Sequence, residues 1–299
     1  MKRIFLSTLL LIGITLSSIA QSNQILAETE AWHATRIAAL KQPNGWLNLE
    51  GLFWFKEGIN RFGSNTKNDL VYANPAFPAY LGEFIFDGGK VFWKDAKAVK
   101  VTITNSAGAL IQNTSSLNLL TEKEGAYTCQ WKDFVWIVIK REDKIGVRFR
   151  NLKSKTLLGF KGIERFPVDA KWRVKAKVIP QDQNPLMIMN VLGQNTAQKH
   201  GGQLVFELEG KTYKLDAIDE GGVRLFITFA DATSGKTTYG SGRFIELDKP
   251  DANGETYIDF NRAYNPPCAF TEFATCPLPP AQNRLTIAIP AGEKKYGHH

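Results

Sequence analysis

The run Phe134-Val135-Trp136-Ile137-Val138-Ile139-Lys140-Arg141-Glu142-Asp143-Lys144-Ile145-Gly146-Val147-Arg148-Phe149-Arg150 sets the fold class. Two apolar stretches rich in β-branched and aromatic residues flank the polar turn Glu142-Asp143-Lys144, which is the pattern of a β-hairpin. Neither stretch has the length or the 3.6-residue period of an amphipathic helix. The same texture recurs on both sides. Leu47-Asn48-Leu49 and Val91-Phe92-Trp93 precede it, with a turn at Asp87-Gly88-Gly89, and residues 203–209, 212–217, 223–230, 243–247 and 257–260 follow it. Short strands at this spacing predict an all-β protein made of sandwich or barrel-like modules. One segment differs. Over residues 28–41, Trp32, Ile37 and Leu40 fall at helical spacing, and Pro43-Asn44-Gly45 ends the helix.

Polar Lys153-Ser154-Lys155-Thr156 and the hinge Gly159-Phe160-Lys161-Gly162 predict a break. Two β modules result, at 45–155 and 160–295, after a helical segment at 21–44; one larger sandwich is the alternative. Ahead of them, Lys2 and Arg3 lead into an apolar run over 4–16, and Ser18-Ile19-Ala20 supplies small residues. That is the pattern of a secretory signal covering 1–20, with a retained anchor as the alternative. The apolar run is shorter than the roughly 20 residues a spanning helix needs. The expectation is an exported chain, periplasmic or secreted, with no integral membrane segment once the signal is removed. Residues 294–299 read as a fraying end.

The net charge of +8 includes Lys2 and Arg3 and is spread along the chain. Lys97-Ala98-Val99-Lys100 and Lys171-Trp172-Arg173-Val174-Lys175 alternate with apolar residues, as the solvent faces of strands do. A nucleic-acid surface clusters its basic residues with exposed aromatics, so no nucleic-acid partner is expected. The charge favours small anionic ligands or surfaces. Cys268 and Cys276, across a proline-rich loop, are the natural disulfide pair in an oxidising compartment. Cys129 is then the odd thiol, buried on a strand, although its pairing with either of the others stays open.

Chemistry concentrates in Asp259-Phe260-Asn261-Arg262-Ala263-Tyr264-Asn265-Pro266-Pro267-Cys268. Strand alternation puts Ile258 and Phe260 on one face, and Tyr257, Asp259 and Asn261 on the other. An Asp and an Arg this close hold a carboxylate or phosphate ligand, or pair with each other as a structural clasp. In Gly240-Ser241-Gly242-Arg243 the glycines permit close backbone approach by an anion or sugar, and a β-bulge explains them equally. No helix follows, so this is not a hydrolase elbow. His200, among glycines, reads as a solvated loop residue. Cys-x-x-Cys, His-x-His and His-Glu-x-x-His patterns are missing, and no metal or cofactor is expected. Asp259 and Glu272 bracket the cysteine loop and are the candidate acid and base of a hydrolase, with Asp231 nearby if the strands neighbour.

Two resemblances add to this. Glu57-Gly58-Ile59-Asn60-Arg61-Phe62-Gly63-Ser64 with Asn68-Asp69-Leu70-Val71 resembles, at the level of fold, a forkhead-associated domain, a β-sandwich that reads phosphothreonine peptides. That family has an arginine where Ser64 stands and a Ser-Arg-x-x-His cluster where Pro78-Ala79-Tyr80-Leu81 stands, so the resemblance implies a degenerate sandwich scaffold. Gly240-Ser241-Gly242-Arg243-Phe244, the run from Asp259 to Phe270, and Cys276-Pro277-Leu278-Pro279-Pro280 resemble the domain of unknown function 1684. So do Gly45-Trp46-Leu47-Asn48-Leu49, Gly51-Leu52-Phe53-Trp54 and Asn283-Arg284-Leu285. The resemblance implies a grouping over nearly the whole chain after the leader and brings no activity. The favoured expectation is a binding site for a small polar or anionic molecule at the loop of residues 259–276. Arg243 and Arg262 hold its negative group, Asp259 and Asn261 orient it, Tyr264 closes a wall, and Asn265 is a further ligand-binding candidate. The alternatives are the Asp259/Glu272 hydrolase and a structural module clasped by the cysteine loop.

Overall fold

The computed structural model describes the backbone of residues 2–97, 99–181 and 184–297, with side chains from residue 21 onward. The fold is all-β with one long N-terminal helix, α1 (Lys2–Leu40), and it divides into two compact units. The helix is longer than its side-chain pattern announces, running unbroken from Lys2 rather than starting near residue 28. The signal expected over 1–20 lies outside the residues whose side chains are described. Among the described residues no helix is long and apolar enough to cross a membrane.

The unit formed by Lys41–Phe160 and Thr271–Ala274 is a sandwich. One sheet runs in the order β1 (Leu49–Trp54), β9 (Lys144–Asn151), β8 (Phe134–Arg141), β7 (Tyr127–Trp131), β6 (Thr102–Asn105). The other runs β3 (Leu70–Val71), β2 (Gly58–Gly63), β4 (Gly82–Asp87), β5 (Lys90–Asp95). The hairpin that sets the fold class is β8–β9, with Phe134 opposite Asn151 and Arg141 opposite Lys144. Its alternation sends Phe134, Trp136, Val147 and Phe149 into a core shared with Phe62, Phe84 and Trp93 of the facing sheet. Phe149 meets Phe62 edge-on at 5.3 Å and stacks on Phe134 at 5.7 Å. Such ring pairs add to plain burial. Cys129 is a free thiol in this core, and burial pushes its pKa well above the usual range.

The other unit comprises Met1–Leu40, Lys161–Phe270 and Thr275–His299. Its main sheet runs β16 (Arg243–Asp248), β15 (Arg224–Phe229), β14 (Lys211–Ile218), β13 (His200–Leu208), β10 (Arg173–Ile179), β17 (Glu255–Asp259), with a separate hairpin of β11 (Leu186–Met189) and β12 (Asn195–Gln198). The sheet curls until its end strands meet. No ladder joins β16 to β17, but Thr256 Oγ1 donates to the Asp248 carbonyl at 2.8 Å, giving a nearly closed barrel with one open seam. Alternation fills the interior: Val174, Ala176 and Val178 from β10, Leu225, Ile227 and Phe229 from β15, Ile245 and Leu247 from β16, and Ile258 from β17. Outward from the same strands point Arg173, Lys175, Arg224, Glu246, Asp248 and Tyr257.

Helix α1 lies against the 3₁₀ turns Ala170–Trp172 and Phe260–Arg262. Ile25, Thr29 and Leu40 are buried, and Trp32, His33, Arg36 and Ile37 half-buried, so its packed face repeats every three to four residues. The C-terminal segment is docked rather than frayed: Lys294 N–H donates to Glu164 O at 2.8 Å and Lys295 N–H to Thr237 O at 3.0 Å. The Tyr296 ring rests 4.7 Å from that of Phe270. Only His298 and His299 of that expected loose end fall outside the described residues.

Truncating Phe149 to Ala should destabilise the protein by about 3–5 kcal/mol. Val223→Ala, at an exposed position, should stay within about 0.5 kcal/mol. Urea unfolding followed by tryptophan fluorescence measures both, and similar losses for the two would contradict the assigned core.

Candidate functional site

The outward faces of the strands at the barrel seam line a groove of about 400 Å³. Strand β10 contributes Arg173 and Lys175, and β17 contributes Glu255, Tyr257 and Asp259. Their register sets Arg173 opposite Asp259 and Lys175 opposite Tyr257. Across the seam stand Arg224 from β15 and Glu246 and Asp248 from β16, with Lys249 and Asp251 from the β16–β17 turn. Arg262 closes one end, and Trp32 of α1 overhangs it. A second cavity shares Trp32, Arg224 and Glu246 with the first and reaches Arg36 and Tyr264.

Several of these charges are already engaged. Lys175 Nζ lies 2.6 Å from Glu255, and the Arg173 guanidinium sits 5.2 Å over the Tyr257 ring. Arg173 Nη1 and Arg262 Nη2 each lie 3.2 Å from the same oxygen, Oε2 of Glu28 on α1. The Glu28 carboxyl is held below its ordinary pKa first by the bond from Gln24 and then by the two arginines. Asp259 is less well served. Its Oδ1 accepts from the backbone and side-chain amides of Asn261 at 3.1 and 2.9 Å. Its Oδ2 lies 3.4 Å from Arg262 Nε, yet neither atom makes a hydrogen bond.

The expected ligand residues part company here. Asp259 and Arg262 line the groove, and Tyr264 lines the adjoining cavity, its hydroxyl 3.3 Å from Glu246 Oε1 and its pKa raised by burial first. Asn261 is not on a strand. It sits in the 3₁₀ turn after β17, where its amide donates to Asp169 O at 3.0 Å and its carbonyl accepts from Asp169 N–H at 3.1 Å. Asn265 is fully buried, donating through its backbone to Glu293 Oε2 at 2.7 Å and through its amide to Lys294 O at 2.8 Å. Both are occupied in holding loops.

Arg243 departs furthest from expectation. It is in phase with Ile245 and Leu247 and therefore points into the barrel, where it is 0% exposed. Its guanidinium pairs with Asp231 Oδ2 at 2.8 Å, donates to the carbonyls of Ile289 and Ala291, and lies 5.2 Å over the Phe229 ring. Asp231 in turn accepts from Thr233 Oγ1 at 2.6 Å and Ile289 N–H at 3.2 Å. Arg243 is the polar plug of the barrel, out of reach of a ligand in the groove. The glycine before it serves that packing: Gly242 has φ +92°, and a Cβ there would fall 2.5 Å from Phe229 O.

Glu272 is exposed in the sandwich unit and is not among the groove's lining residues. His200 opens β13 rather than a loop, its Nδ1 accepting from Gly202 N–H at 3.0 Å with Nε2 3.7 Å from Asp216. Cys268 and Cys276 form a disulfide. Among the described residues no three His, Cys, Asp or Glu side chains gather as a metal site would require.

The family model described as "Protein of unknown function (DUF1684)" matches residues 158–294. The chain belongs to that family. The match takes in the barrel, its seam and the run from Asp259 to Glu293, and leaves out the Gly45–Trp54 motifs that the sequence resemblance included. A solution NMR structure of an uncharacterized protein of Haloarcula marismortui is 33% identical over 47% of this chain and 80% of that one, with a TM-score of 0.40. No curated protein matches the chain. The family's barrel contributes most of the groove, with α1, outside the matched residues, supplying Trp32. Arg173, Lys175, Tyr257, Glu246 and Arg224 are not candidate site residues in the sequence reading. Their alternation with apolar residues reads only as solvent face, and nothing local shows that two such faces converge.

Because Arg243 is buried with one carboxylate partner, Arg243→Ala should cost about 3–5 kcal/mol, from the charge left unpaired on Asp231. Arg262→Ala, at a side chain 25% exposed, should cost about 1 kcal/mol or less. Denaturant midpoints of the two variants decide this. His33 on α1 gives a second check: burial first, then Arg165, push its pKa from 6.5 down to about 4. A depressed value in the folded state means its contribution is complete above the unfolded value and lost as pH falls toward the folded one. Stability should therefore decline between pH 6.5 and about 4, and His33→Gln should flatten the urea midpoint over that window.

Proposed function

We propose that this protein is exported and binds a small polar or anionic molecule in the seam groove, with Arg173, Arg262 and Asp259 as the polar contacts and Trp32 and Tyr257 as walls. One observation carries the reading. Asp259 is 9% exposed, lines the groove, and leaves Oδ2 without a hydrogen bond beside the equally unbonded Arg262 Nε. The two atoms form an ion pair at 3.4 Å without the alignment of a hydrogen bond, and buried polar groups left without one are costly. Unspent polar capacity at a cavity is what a binding site keeps for its ligand. The N-terminal run and the Cys268–Cys276 bond support export. Nothing favours Asp259 and Glu272 as an acid–base pair, since only the first lines the groove.

Calorimetric titration of acetate, inorganic phosphate, glycine and simple sugars should find at least one binder. Its affinity should fall at least tenfold in both Arg173→Ala and Arg262→Ala. A binder indifferent to both substitutions, or no binder across a wide panel of small polar molecules, would remove the proposal.

A further inference from the structure

Two arginines of the groove already hold a carboxylate, and it belongs to the protein. Glu28 Oε2 takes one bond from Arg173 and one from Arg262, while Gln24 Nε2 holds its Oε1 at 2.9 Å. The two arginines come from separate elements, β10 and the turn after β17, and converge on one oxygen. A guanidinium is built to engage both oxygens of a carboxylate in parallel, so each is only partly used. Glu28 reaches them from α1, one helical turn before Trp32. It is a stand-in that fits the arginines incompletely.

The remaining lining sets what else a ligand must carry. Glu246, Asp248, Asp251, Glu255 and Asp259 surround the same space. A dianion such as phosphate would bring its charge against those carboxylates, and a bare cation would meet the arginines. Each mismatch is penalised. Asp259 Oδ2, shielded from solvent and ion-paired with Arg262 Nε at 3.4 Å, accepts no hydrogen bond, which a positive N–H group close to the ligand's negative one would supply.

Resting on the groove reading above, we infer that the ligand is a small zwitterion of the amino-acid type. Its carboxylate displaces that of Glu28 from Arg173 and Arg262, and its ammonium group donates to Asp259 Oδ2. Glu28 is thereby an intramolecular competitor, and α1 sets how tightly the site binds. The helix does not depend on this contact alone. Arg36 pairs with Glu293 at 3.3 Å and Arg165 with Glu30 at 2.8 Å, so loss of the Glu28 charge leaves α1 tied at two further points.

The experiment uses the full chain and calorimetric titration with glycine, its two halves acetate and methylammonium, and inorganic phosphate. In Glu28→Gln, glycine should bind at least tenfold more tightly than in the parent. It should also bind at least tenfold more tightly than acetate, methylammonium or phosphate. Asp259→Asn in the Glu28→Gln background should erase the advantage of glycine over acetate. Glu30→Gln, which loosens the same helix away from the groove, should leave glycine affinity at the parent value. An unchanged affinity in Glu28→Gln, an equal gain in Glu30→Gln, or a preference for phosphate would each overturn the zwitterion assignment. Arg262-dependent binding of any of these probes would, even then, leave the groove reading standing. If no probe binds parent or variant, the zwitterion assignment falls, and the groove reading rests on the wider panel.

Discussion

Arg243 is a charge set where water does not reach, and much of the C-terminal chain is arranged to satisfy it. A buried guanidinium with a single carboxylate needs its remaining donors met by carbonyls, or desolvation outweighs the attraction. Ile289 and Ala291 supply carbonyls to Nη2 and Nη1, while Nε makes no hydrogen bond, and these contacts hold the last segment across the end of the barrel. Just beyond, Gly292 takes φ +74° in a place where a Cβ would lie 2.4 Å from Ala263 O, and so delivers Glu293 to the interior. Burial pushes the Glu293 carboxyl above its usual pKa, and Arg36 of α1 pulls it back. Arg36 also donates to Asn265 O at 2.8 Å and covers the Tyr264 ring at 4.6 Å. From the plug, a connected series of polar contacts leads to the helix that carries Glu28 and Trp32.

The groove exists because the barrel stops short of closing. Where β16 and β17 meet without a ladder, their outward side chains fan apart, and residues that would otherwise be ordinary surface face one another. The polar run after β17 serves two ends. Asn261 and Asn265 tie loops down, whereas Asp259 and Arg262 remain at the cavity wall. The asparagines bond to neighbouring loops, and the acid and the base line the groove.

The β architecture was legible because alternation is a local property, and strands such as β8 and β9 display it over eight residues each. The disulfide pair and the buried thiol were legible from spacing and strand context. The same alternation rule already placed Arg243 inside, in step with Ile245 and Leu247, but its charge suggested a ligand contact instead. Asn261 was misplaced because a strand was extended past Asp259, whose side chain in fact caps the following turn by accepting from Asn261 N–H. The convergence of Glu28 with Arg173 and Arg262 joins residues more than a hundred positions apart. No local pattern encodes it.

The balance of charge around the groove also shapes how anything would arrive there. Five cationic and five anionic side chains line it, and alternating signs at such short spacing cancel within about one Debye length, about 8 Å at physiological ionic strength. A pocket of one sign draws its ligand from a distance and loses speed as salt is added. Here the lining charges balance, five against five. For the proposed ligand, encounter would be left to unbiased diffusion, and discrimination would begin only at contact, by the spatial order of charges rather than their sum.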